Sequence, residues 1–343
     1  MEKPVVVVKI GSSILADASG NLAEEKVAKI AAEIAQLSHD YRVVLVSSGA
    51  VSSGRSALPF YKGKIGERKA AAAIGNPILI AAYSRAFESY QIRVAQALLE
   101  RHHFSNRHQF LQLKETITEL WRNNILTIVN ENDFVSDHEL KFSDNDELAT
   151  LIAVAFNAQT LILCTTSGGF LDNEGKVIPQ IETINDGLLS LLRHETSAHG
   201  TGGMASKLTF TKLATRLGIT VIMCGLGNDA IFSRAMKGEE GTTFRAKPSA
   251  LKDRQKWLAS GSITSGAVQL DAGACRALAD RKSLLAIGIT AVVRPFSVGE
   301  IVELVNPDGE TIGVAQMRLS SAVIESGEQR NGMAAHADNI VIF

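Results

Sequence analysis

Short apolar runs alternate with longer stretches of helical periodicity as far as residue 247. The predicted strands are Val5–Ile10, Arg42–Val46, Ile92–Leu98, Ile125–Val129, Thr160–Cys164 and Ile219–Cys224. The predicted helices are Leu22–Leu37, Arg68–Tyr90, Leu148–Phe156 and Thr209–Leu217. In the second of them, Gly75-Asn76-Pro77 predicts a kink or a break. Alternating strands and helices favour parallel β-α-β units, so we expect an α/β fold: a three-layer, open, mainly parallel sheet with helices on both faces.

The pattern changes near residue 250, after the linker-like sequence Lys247-Pro248-Ser249-Ala250. Short strand-like runs then follow one another, with one helix at Ala272–Asp280. The runs are Gly266–Leu270, Ala291–Val293, Glu300–Val305 and Thr311–Ala315, and Pro307-Asp308-Gly309 before the last of them is typical of a hairpin turn. We therefore predict a first domain at residues 1–247, a linker at 248–253 and a small, mostly β domain at 254–343.

The composition indicates an ordinary globular protein. The chain has 343 residues, of which 45% are hydrophobic and 21% charged, unlike a disordered or fibrous chain. Lys and Arg total 35 and Asp and Glu total 36, so the chain lacks the strong positive charge of a dedicated nucleic-acid binder. Cys164, Cys224 and Cys275 are too scattered for a disulfide framework or a zinc site, and we expect buried free thiols. The first apolar run ends at Lys9 and no run is long enough to cross a membrane, so we expect a cytoplasmic protein.

The loops after the strands are where we expect the chemistry, because open parallel sheets bind ligands beyond the carboxyl ends of their strands. Lys9 interrupts the first buried strand and is followed closely by Gly11 and Ser12. A lysine in such a strand costs free energy unless its ammonium group meets an anion, and the N–H groups around a glycine can bind phosphate. The alternative is a lysine that emerges into solvent at the strand end.

The loop after the second strand nearly matches a phosphate-binding P-loop. Gly49 to Ser56 fits G-x-x-x-x-G-K-[ST], except that Arg55 stands where the lysine belongs. The P-loop mechanism needs that lysine, and the bulkier, forked arginine is not equivalent to it. We therefore expect a loop that binds a small acidic substrate through hydroxyl and backbone N–H groups.

Two further loops are rich in carboxylates and amides. Asn130-Glu131-Asn132-Asp133 suits a ligand with an amino group, which Asp133 would bind, while Asn130 or Asn132 holds a carboxylate; an Asx-rich turn is the alternative. Ser143-Asp144-Asn145-Asp146-Glu147 opens a helix, and a capping box of Ser143 with Asp146 would explain two of its residues. The run has more polar groups than capping needs, so we expect Asp146 to bridge two lysines at a reacting phosphoryl group.

The segment from His199 to Lys207 combines three glycines with a helix start and a lysine. Backbone N–H groups and the helix dipole at such an end attract phosphate, so we predict a phosphate cradle; a flexible linker is the alternative. The histidines of the chain show no metal-ligand spacing, and we predict no metal bound by protein ligands.

Taken together, these motifs resemble the amino-acid kinase superfamily, and within it the glutamate 5-kinase family. The matching pieces are VVVVKIGSSIL, VVLVSSGAVSSGR, AAAIGNPILI, VNENDFV, FSDNDELATLIA and GTGGMASK, in that order. The sequence from Gly266 to Glu300 resembles a PUA domain, a small β module that is fused to many bacterial members of this family. The resemblance implies ATP-dependent phosphorylation of the γ-carboxylate of L-glutamate, the first step of proline biosynthesis.

The resemblance also assigns roles to residues. It implies that Lys9 and Lys207 contact the transferred phosphoryl group and that Asp146 organises them. It places glutamate at Ser48, Gly49, Ala50, Asp133 and Asn145. It places ATP at Lys9, Gly11, Ser12, Thr165, Thr166, Thr201, Gly202, Gly203, Met204, Ala205, Ser206 and Lys207. Thr166 stands where the family usually has an aspartate, which bears on nucleotide affinity.

The resemblance further implies a set of small molecules and partners. These are ATP with Mg²⁺, proline as a feedback inhibitor, further copies of the chain in a dimer or tetramer, and a glutamyl-phosphate reductase that consumes the labile product. Two alternatives are a superfamily member with a different acid acceptor and an RNA-binding protein that acts through the PUA-like domain. From Lys252 onward there are nine Lys/Arg and ten Asp/Glu, a net charge of −1, which argues against RNA binding. Val314–Arg318 also replaces a His-Gly-rich stretch of the PUA family.

Overall fold

A computed structural model describes residues 3–134, 144–184, 188, 204–227, 229–249, 251, 253–260, 264 and 266–342. The chain divides into two compact units. The first comprises residues 1–103 and 108–249, and the second comprises residues 104–107 and 250–343. Residues 104–107, which we placed in the first domain, pack with the second unit because the indole Nε1 of Trp257 donates a 2.6 Å hydrogen bond to the carbonyl of Phe104.

Within the described part of the first unit, eight strands form one sheet. They are β1 (Val5–Ile10), β2 (Arg42–Ser47), β3 (Arg93–Leu99), β4 (Ile125–Glu131), β5 (Thr160–Cys164), β6 (Gln180–Ile181), β7 (Thr220–Cys224) and β8 (Thr242–Phe244). Their order across the sheet is β3-β4-β2-β1-β5-β7-β8-β6. Neighbours from β3 to β7 are parallel, and only the β7–β8 pair among these strands is antiparallel.

The helices up to residue 249 surround this sheet. They are α1 (Ser12–Leu15), α2 (Glu24–Ser38), α3 (Ala50–Gly54), α4 (Ile65–Glu88), α5 (His102–Ser105), α6 (Arg107–Arg122), α7 (Asn145–Ala155), α8 (Met204–Arg216) and α9 (Ile231–Met236). Val6, Val8 and Ile10 of β1 join one apolar core with residues of α2, α4 and α9. Lys9 points to the opposite face, where it meets α7. Helices therefore cover both faces, which confirms the predicted fold class.

Helix α4 runs from Ile65 to Glu88 as one helix, so the break that was one of the two outcomes expected at Gly75-Asn76-Pro77, a kink or a break, does not occur. Pro77 lies on the exposed side of the helix, where the carbonyl group that it leaves without a helical partner can be hydrated. Gly75 serves a different purpose: a Cβ there would lie 1.8 Å from the carbonyl oxygen of Ala50 and 2.7 Å from the amide nitrogen of Gly54. Helices α3 and α4 can therefore pack backbone against backbone only with glycine at this position.

The described part of the second unit contains a five-stranded sheet in the order β11-β9-β12-β13-β15 and a two-stranded sheet, β10-β14. These strands are β9 (Gly266–Leu270), β10 (Leu284–Leu285), β11 (Ile289–Arg294), β12 (Ile301–Val305), β13 (Thr311–Gln316), β14 (Met333–Ala335) and β15 (Ile340–Ile342). Its helices are α10 (Asp253–Ala259), α11 (Ala272–Ala279) and α12 (Ser321–Ser326). Strands β12 and β13 form the expected antiparallel hairpin.

Two of the three thiols are buried as expected. Cys164 and Cys224 face each other across β5 and β7, and burial raises the pKa of Cys164 to about 12. Cys275 is only partly buried, because α11 turns one side to solvent. Across the described ranges, no helix combines the length and the apolar character needed to cross a membrane.

Candidate active site

The carboxyl ends of the central strands place the predicted site residues at one edge of the sheet. Lys9 pairs in register with Val46 on β2 and with Leu163 on β5, one residue before the ends of all three strands. The backbone N–H of Ser48 donates a 3.0 Å hydrogen bond to the carbonyl of Ile10, which holds the loops after β1 and β2 side by side. The predicted phosphate and substrate loops thus meet where parallel sheets bind ligands.

One buried carboxylate joins two lysines at this edge. Nζ of Lys9 lies 2.6 Å from Oδ1 of Asp146, and Nζ of Lys207 lies 2.9 Å from Oδ2. The Asp146 side chain has no exposed surface, whereas the lysine side chains are 7% and 15% exposed. Burial alone would raise the pKa of the Asp146 carboxyl, but the charges and hydrogen bonds of the two lysines outweigh it, so the pKa lies below its ordinary value. The expectation that Asp146 bridges two lysines is thus met by the geometry.

Asp144 sets the position of Asp146. Its Oδ1 accepts hydrogen bonds from the backbone N–H groups of Asp146 at 2.8 Å and Glu147 at 3.2 Å, so Asp144 is the N-cap of α7. Its Oδ2 accepts a 2.6 Å hydrogen bond from the hydroxyl of Ser206, next to Lys207 on α8. The alternative explanation of this run, a capping box of Ser143 with Asp146, does not describe Asp146, because its carboxylate faces the lysines; Ser143 lies outside the described residues.

A group of amides lies beside this triad. Nδ2 of Asn145 donates to Oγ of Ser48 at 2.7 Å and to Oδ1 of Asn130 at 3.1 Å. Oδ1 of Asn145 is buried and has no hydrogen-bond partner among the described residues. A buried acceptor without a donor costs about 1–3 kcal/mol, so this oxygen calls for an N–H group from a ligand.

The loop after β2 does not form a P-loop. Gly49 has a φ of +111°, which favours glycine, and it starts helix α3 at once. The hydroxyls of Ser52 and Ser53 donate to the carbonyl of Gly49 at 2.9 and 2.8 Å. Arg55 donates to the carbonyl of Ser19 at 2.7 Å. The arginine at the position of the P-loop lysine therefore binds the backbone of another loop.

Two family models match the chain: the amino acid kinase family over residues 4–225 and the PUA domain over residues 266–340. The chain belongs to the amino acid kinase family. Among relatives of this amino acid kinase, a glutamate 5-kinase of Bacillus cereus is 38% identical over 334 residues, which cover 94% of this chain and 91% of the relative. A glutamate 5-kinase of Thermotoga maritima is 37% identical over 327 residues, 93% of this chain and 90% of the relative. At this identity and coverage, the chain is also a member of the glutamate 5-kinase family.

A solved structure shows the same fold. The carbamate kinase from Giardia lamblia bound to AMP-PNP superposes with a TM-score of 0.50 at 19% identity. The match covers 72% of this chain and 99% of that enzyme.

The structure of this amino acid kinase brings some of the predicted nucleotide residues to the same edge. Thr165 follows β5 and is buried. Its N–H donates to the carbonyl of Cys224 at 2.8 Å, its carbonyl accepts from the N–H of Gly168 at 3.4 Å, and its hydroxyl lies 3.2 Å from that of Ser167. Thr166 is exposed. Gly11 precedes α1, where a Cβ would lie 3.7 Å from Nζ of Lys9, and Ser12 is exposed. Met204, Ala205 and Ser206 form the first turn of α8, whereas Thr201, Gly202 and Gly203 lie outside the described residues.

The remaining predicted substrate residues of the kinase occupy the adjoining loops. Gly49 and Ala50 are buried at the start of α3, and Asp133 is half-buried two residues beyond β4. Asn132 donates to Glu100 at 2.8 Å rather than lying free for a ligand carboxylate.

Sequence reasoning missed two supporting groups. Asp144 was seen only as part of a polar run, although an Asp directly before a helix is a usual N-cap. The guanidinium of Arg101 binds the buried carboxylate of Glu147, with Nε at 2.7 Å from Oε1. No local signal could have found that pair, because the two residues are distant in sequence.

Proposed function

We propose that this protein transfers the γ-phosphoryl group of ATP to the γ-carboxylate of L-glutamate, giving L-glutamyl 5-phosphate at the start of proline biosynthesis. The observation that carries the proposal is the pair of ammonium groups of Lys9 and Lys207 on one buried carboxylate. The glutamate 5-kinase relatives, at 37–38% identity over nearly the whole chain, support glutamate as the acceptor.

The chemistry suits a site that has cations but no general base. A γ-carboxylate has a reference pKa near 4.3, so the nucleophile is already ionised at neutral pH. The barrier is the repulsion between this carboxylate and the triphosphate. Two fixed ammonium groups offset that repulsion through electrostatic stabilisation of the moving phosphoryl group. Each ammonium carries three N–H donors, and Asp146 holds both ammonium groups at this edge of the sheet.

The proposed glutamate residues are Ser48, Gly49, Ala50, Asp133 and Asn145. The buried, unpartnered oxygen of Asn145 supports a role in binding the α-ammonium group. Gly11, Ser12, Thr165, Thr166 and residues 201–207 are proposed to bind ATP. Their support is the common edge of the sheet and the helix start at Met204, which favours phosphate.

Mg²⁺ is expected to arrive on the phosphates of ATP. The two carboxylates at the start of α7 are engaged, Asp144 by the helix N–H groups and Ser206, and Asp146 by the lysines. In the part of the chain that the structure describes, no three His, Cys, Asp or Glu side chains gather as metal ligands. No step of the proposal depends on a magnesium site formed by the protein itself.

We further propose that two copies of the chain associate through α4. One side of this helix exposes a stripe without charge, made of Ala70, Ala73, Ile74, Pro77, Ile78 and Ala81. A two-fold axis would place the stripe of one copy against the same stripe of the second copy, so that apolar groups face apolar groups. The other proposed partners, proline as inhibitor and a reductase that takes the labile acyl phosphate, follow from the proposed reaction in the cytoplasm.

An acceptor panel tests the proposal. The protein is incubated with ATP and Mg²⁺ together with glutamate, aspartate, N-acetylglutamate, carbamate or UMP, and ADP release is measured. Hydroxylamine traps the acyl phosphate as a hydroxamate. We expect ADP and hydroxamate with glutamate far above the other acceptors. Faster turnover of another acceptor would refute glutamate as the substrate.

A further inference from the structure

Asn76, in the middle of α4, is a polar side chain that the proposed reaction leaves unexplained. It is 7% exposed, and its Oδ1 accepts hydrogen bonds from Nδ2 of Asn130 at 3.3 Å and from Nε2 of Gln96 at 3.2 Å. We propose that Asn76 is a positioning residue that holds the NH₂ end of the Asn130 amide, and through Asn130 the Asn145 amide, in the place that lets the acceptor site select an acid with a free α-ammonium group. This inference rests on the proposed function of the site and deepens it.

The orientation of the whole amide chain follows from one backbone group. The N–H of Glu131 can only donate, and it lies 2.9 Å from the side chain of Asn130, so the atom that faces it must be the oxygen Oδ1. The other end of the Asn130 amide, which faces Asn76, must then be the NH₂ group. Asn76 can accept from that group only with its oxygen.

The same oxygen of Asn130 determines the orientation of Asn145. Because Oδ1 of Asn130 accepts, the atom of Asn145 that lies 3.1 Å from it must be Nδ2. This NH₂ group also donates to Oγ of Ser48 at 2.7 Å. Oδ1 of Asn145 is therefore left as a buried acceptor with no donor among the described residues.

These orientations give the site two neighbouring groups of opposite character. The Ser48 hydroxyl accepts from Asn145, so its own proton remains to donate to a carboxylate. Oδ1 of Asn145 accepts, so it suits an ammonium group. A carboxylate beside an ammonium is the pattern of an α-amino acid. An N-acylated acid would leave this buried oxygen without a charged donor, and sites built around such a hydrogen bond discriminate strongly.

Two substitutions of Asn76 test the role. Asn76→Leu keeps the branched shape of the side chain and removes the acceptor, whereas Asn76→Asp keeps an acceptor oxygen for both donors. For Asn76→Leu we expect KM for glutamate to rise about five- to tenfold, as for one misplaced hydrogen bond, with KM for ATP unchanged. Asn76→Asp should restore KM for glutamate to within about threefold of wild type. Leu79→Ala, a buried neighbour on the same helix, is the control: it should lower Tm without changing KM for glutamate.

The exposed Gln96 provides a second test that does not disturb the core. Gln96→Glu replaces the donor that faces Asn76 with an acceptor, whereas Gln96→Met only removes it. We expect a larger rise of KM for glutamate in Gln96→Glu than in Gln96→Met. An unchanged KM in Asn76→Leu, or in Gln96→Glu if Asn76→Leu does not fold, would overturn the role of Asn76. A wild-type enzyme that fails to phosphorylate glutamate would instead refute the proposed function.

Discussion

Lys9 reaches from the end of a buried strand to Asp146, with Nζ at 2.6 Å from Oδ1 of a carboxylate that has no exposed surface. Because the strand fixes the Lys9 backbone between β2 and β5, the ammonium has little freedom to move. The same carboxylate holds Lys207 through its other oxygen. Asp146 therefore holds both ammonium groups in place before any substrate binds, which is the preorganisation that electrostatic catalysis needs.

Loss of either lysine should slow the reaction without unfolding the protein. For Lys9→Ala and Lys207→Ala we expect turnover of glutamate to fall about a hundredfold or more, as for the loss of one preorganised electrostatic contact. The measurement is steady-state ADP release at saturating substrates. Lys212→Ala, on the same helix as Lys207 but without contact to Asp146 in the described structure, is the control and should stay near wild type. Near-normal turnover in either site variant would remove that lysine from the mechanism.

Asp146→Asn should lower both activity and stability. The amide is nearly the same size, but it leaves two largely buried ammonium groups without a counter-charge, which costs about 3–5 kcal/mol of unfolding free energy. Denaturant unfolding measures the loss. Glu119→Gln, which breaks an exposed ion pair with Arg122, should change stability by less than about 1 kcal/mol. Equal unfolding free energies of Asp146→Asn and wild type would argue against the ion-paired cluster of Lys9, Asp146 and Lys207.

The depressed pKa of Asp146 has a consequence for acid stability. Because the folded-state pKa is lower than the unfolded one, ionised Asp146 stabilises the fold above its ordinary pKa of 3.8, and this contribution is lost as pH falls through the folded value. We expect the stability difference between wild type and Asp146→Asn to be constant from about pH 6 to 8 and to shrink below about pH 4. Urea unfolding of both proteins at several pH values across this range measures the stability difference. A difference that changes mainly between pH 6 and 8 would contradict the assignment.

Asp144 and Ser206 should be energetically coupled, because Asp144 caps α7 and also binds α8. We expect Asp144→Ala to lower the unfolding free energy by about 1–2 kcal/mol and Ser206→Ala by about 1 kcal/mol. In the double variant, the Ser206 substitution should add little to the loss from Asp144→Ala, which a double-mutant cycle of unfolding free energies measures. Strictly additive losses would show that this hydrogen bond is not formed in solution.

Two glycines of α4 make a matched pair. Gly75→Ala would place Cβ 1.8 Å from the carbonyl oxygen of Ala50, so we expect a loss of about 3 kcal/mol or more from the forced separation of α3 and α4. Gly66, on the same helix, has nothing within 4 Å of a built Cβ, and Gly66→Ala should stabilise the protein by up to about 1 kcal/mol. Thermal unfolding compares the two. A stable Gly75→Ala variant would show that the helices do not pack this closely.

The periodicity of the chain was enough to predict most of the large sheet. Continuous β-branched runs such as Val5–Ile10 admit few structures other than a buried parallel strand, so six strands were predicted to within about two residues of those observed. The short strands β6 and β8 were not predicted. The sequence could not decide between a kink and a break at Pro77, because the effect of this proline depends on which side of the helix faces solvent, and that is a tertiary property.

The site was predictable in part. Lys9 and Asp146 were recognisable because each is charged where the local pattern demands apolar or capping residues. Asn130 was noticed in its polar loop, but its link to Asn76 and Gln96 was not predictable, because it joins a helix and two strands that are separated in sequence. The roles of the individual site residues remain predictions.

The central claim is that Lys9 and Lys207 act together on one phosphoryl group under the control of Asp146. The direct test compares kcat for glutamate phosphorylation in Lys9→Ala, Lys207→Ala and the double variant. Residues that act as a unit lose most of their effect with the first substitution. We therefore predict that kcat of the double variant lies less than about threefold below the lower of the two single-variant values. A double variant whose loss is the product of the two single losses would contradict this account.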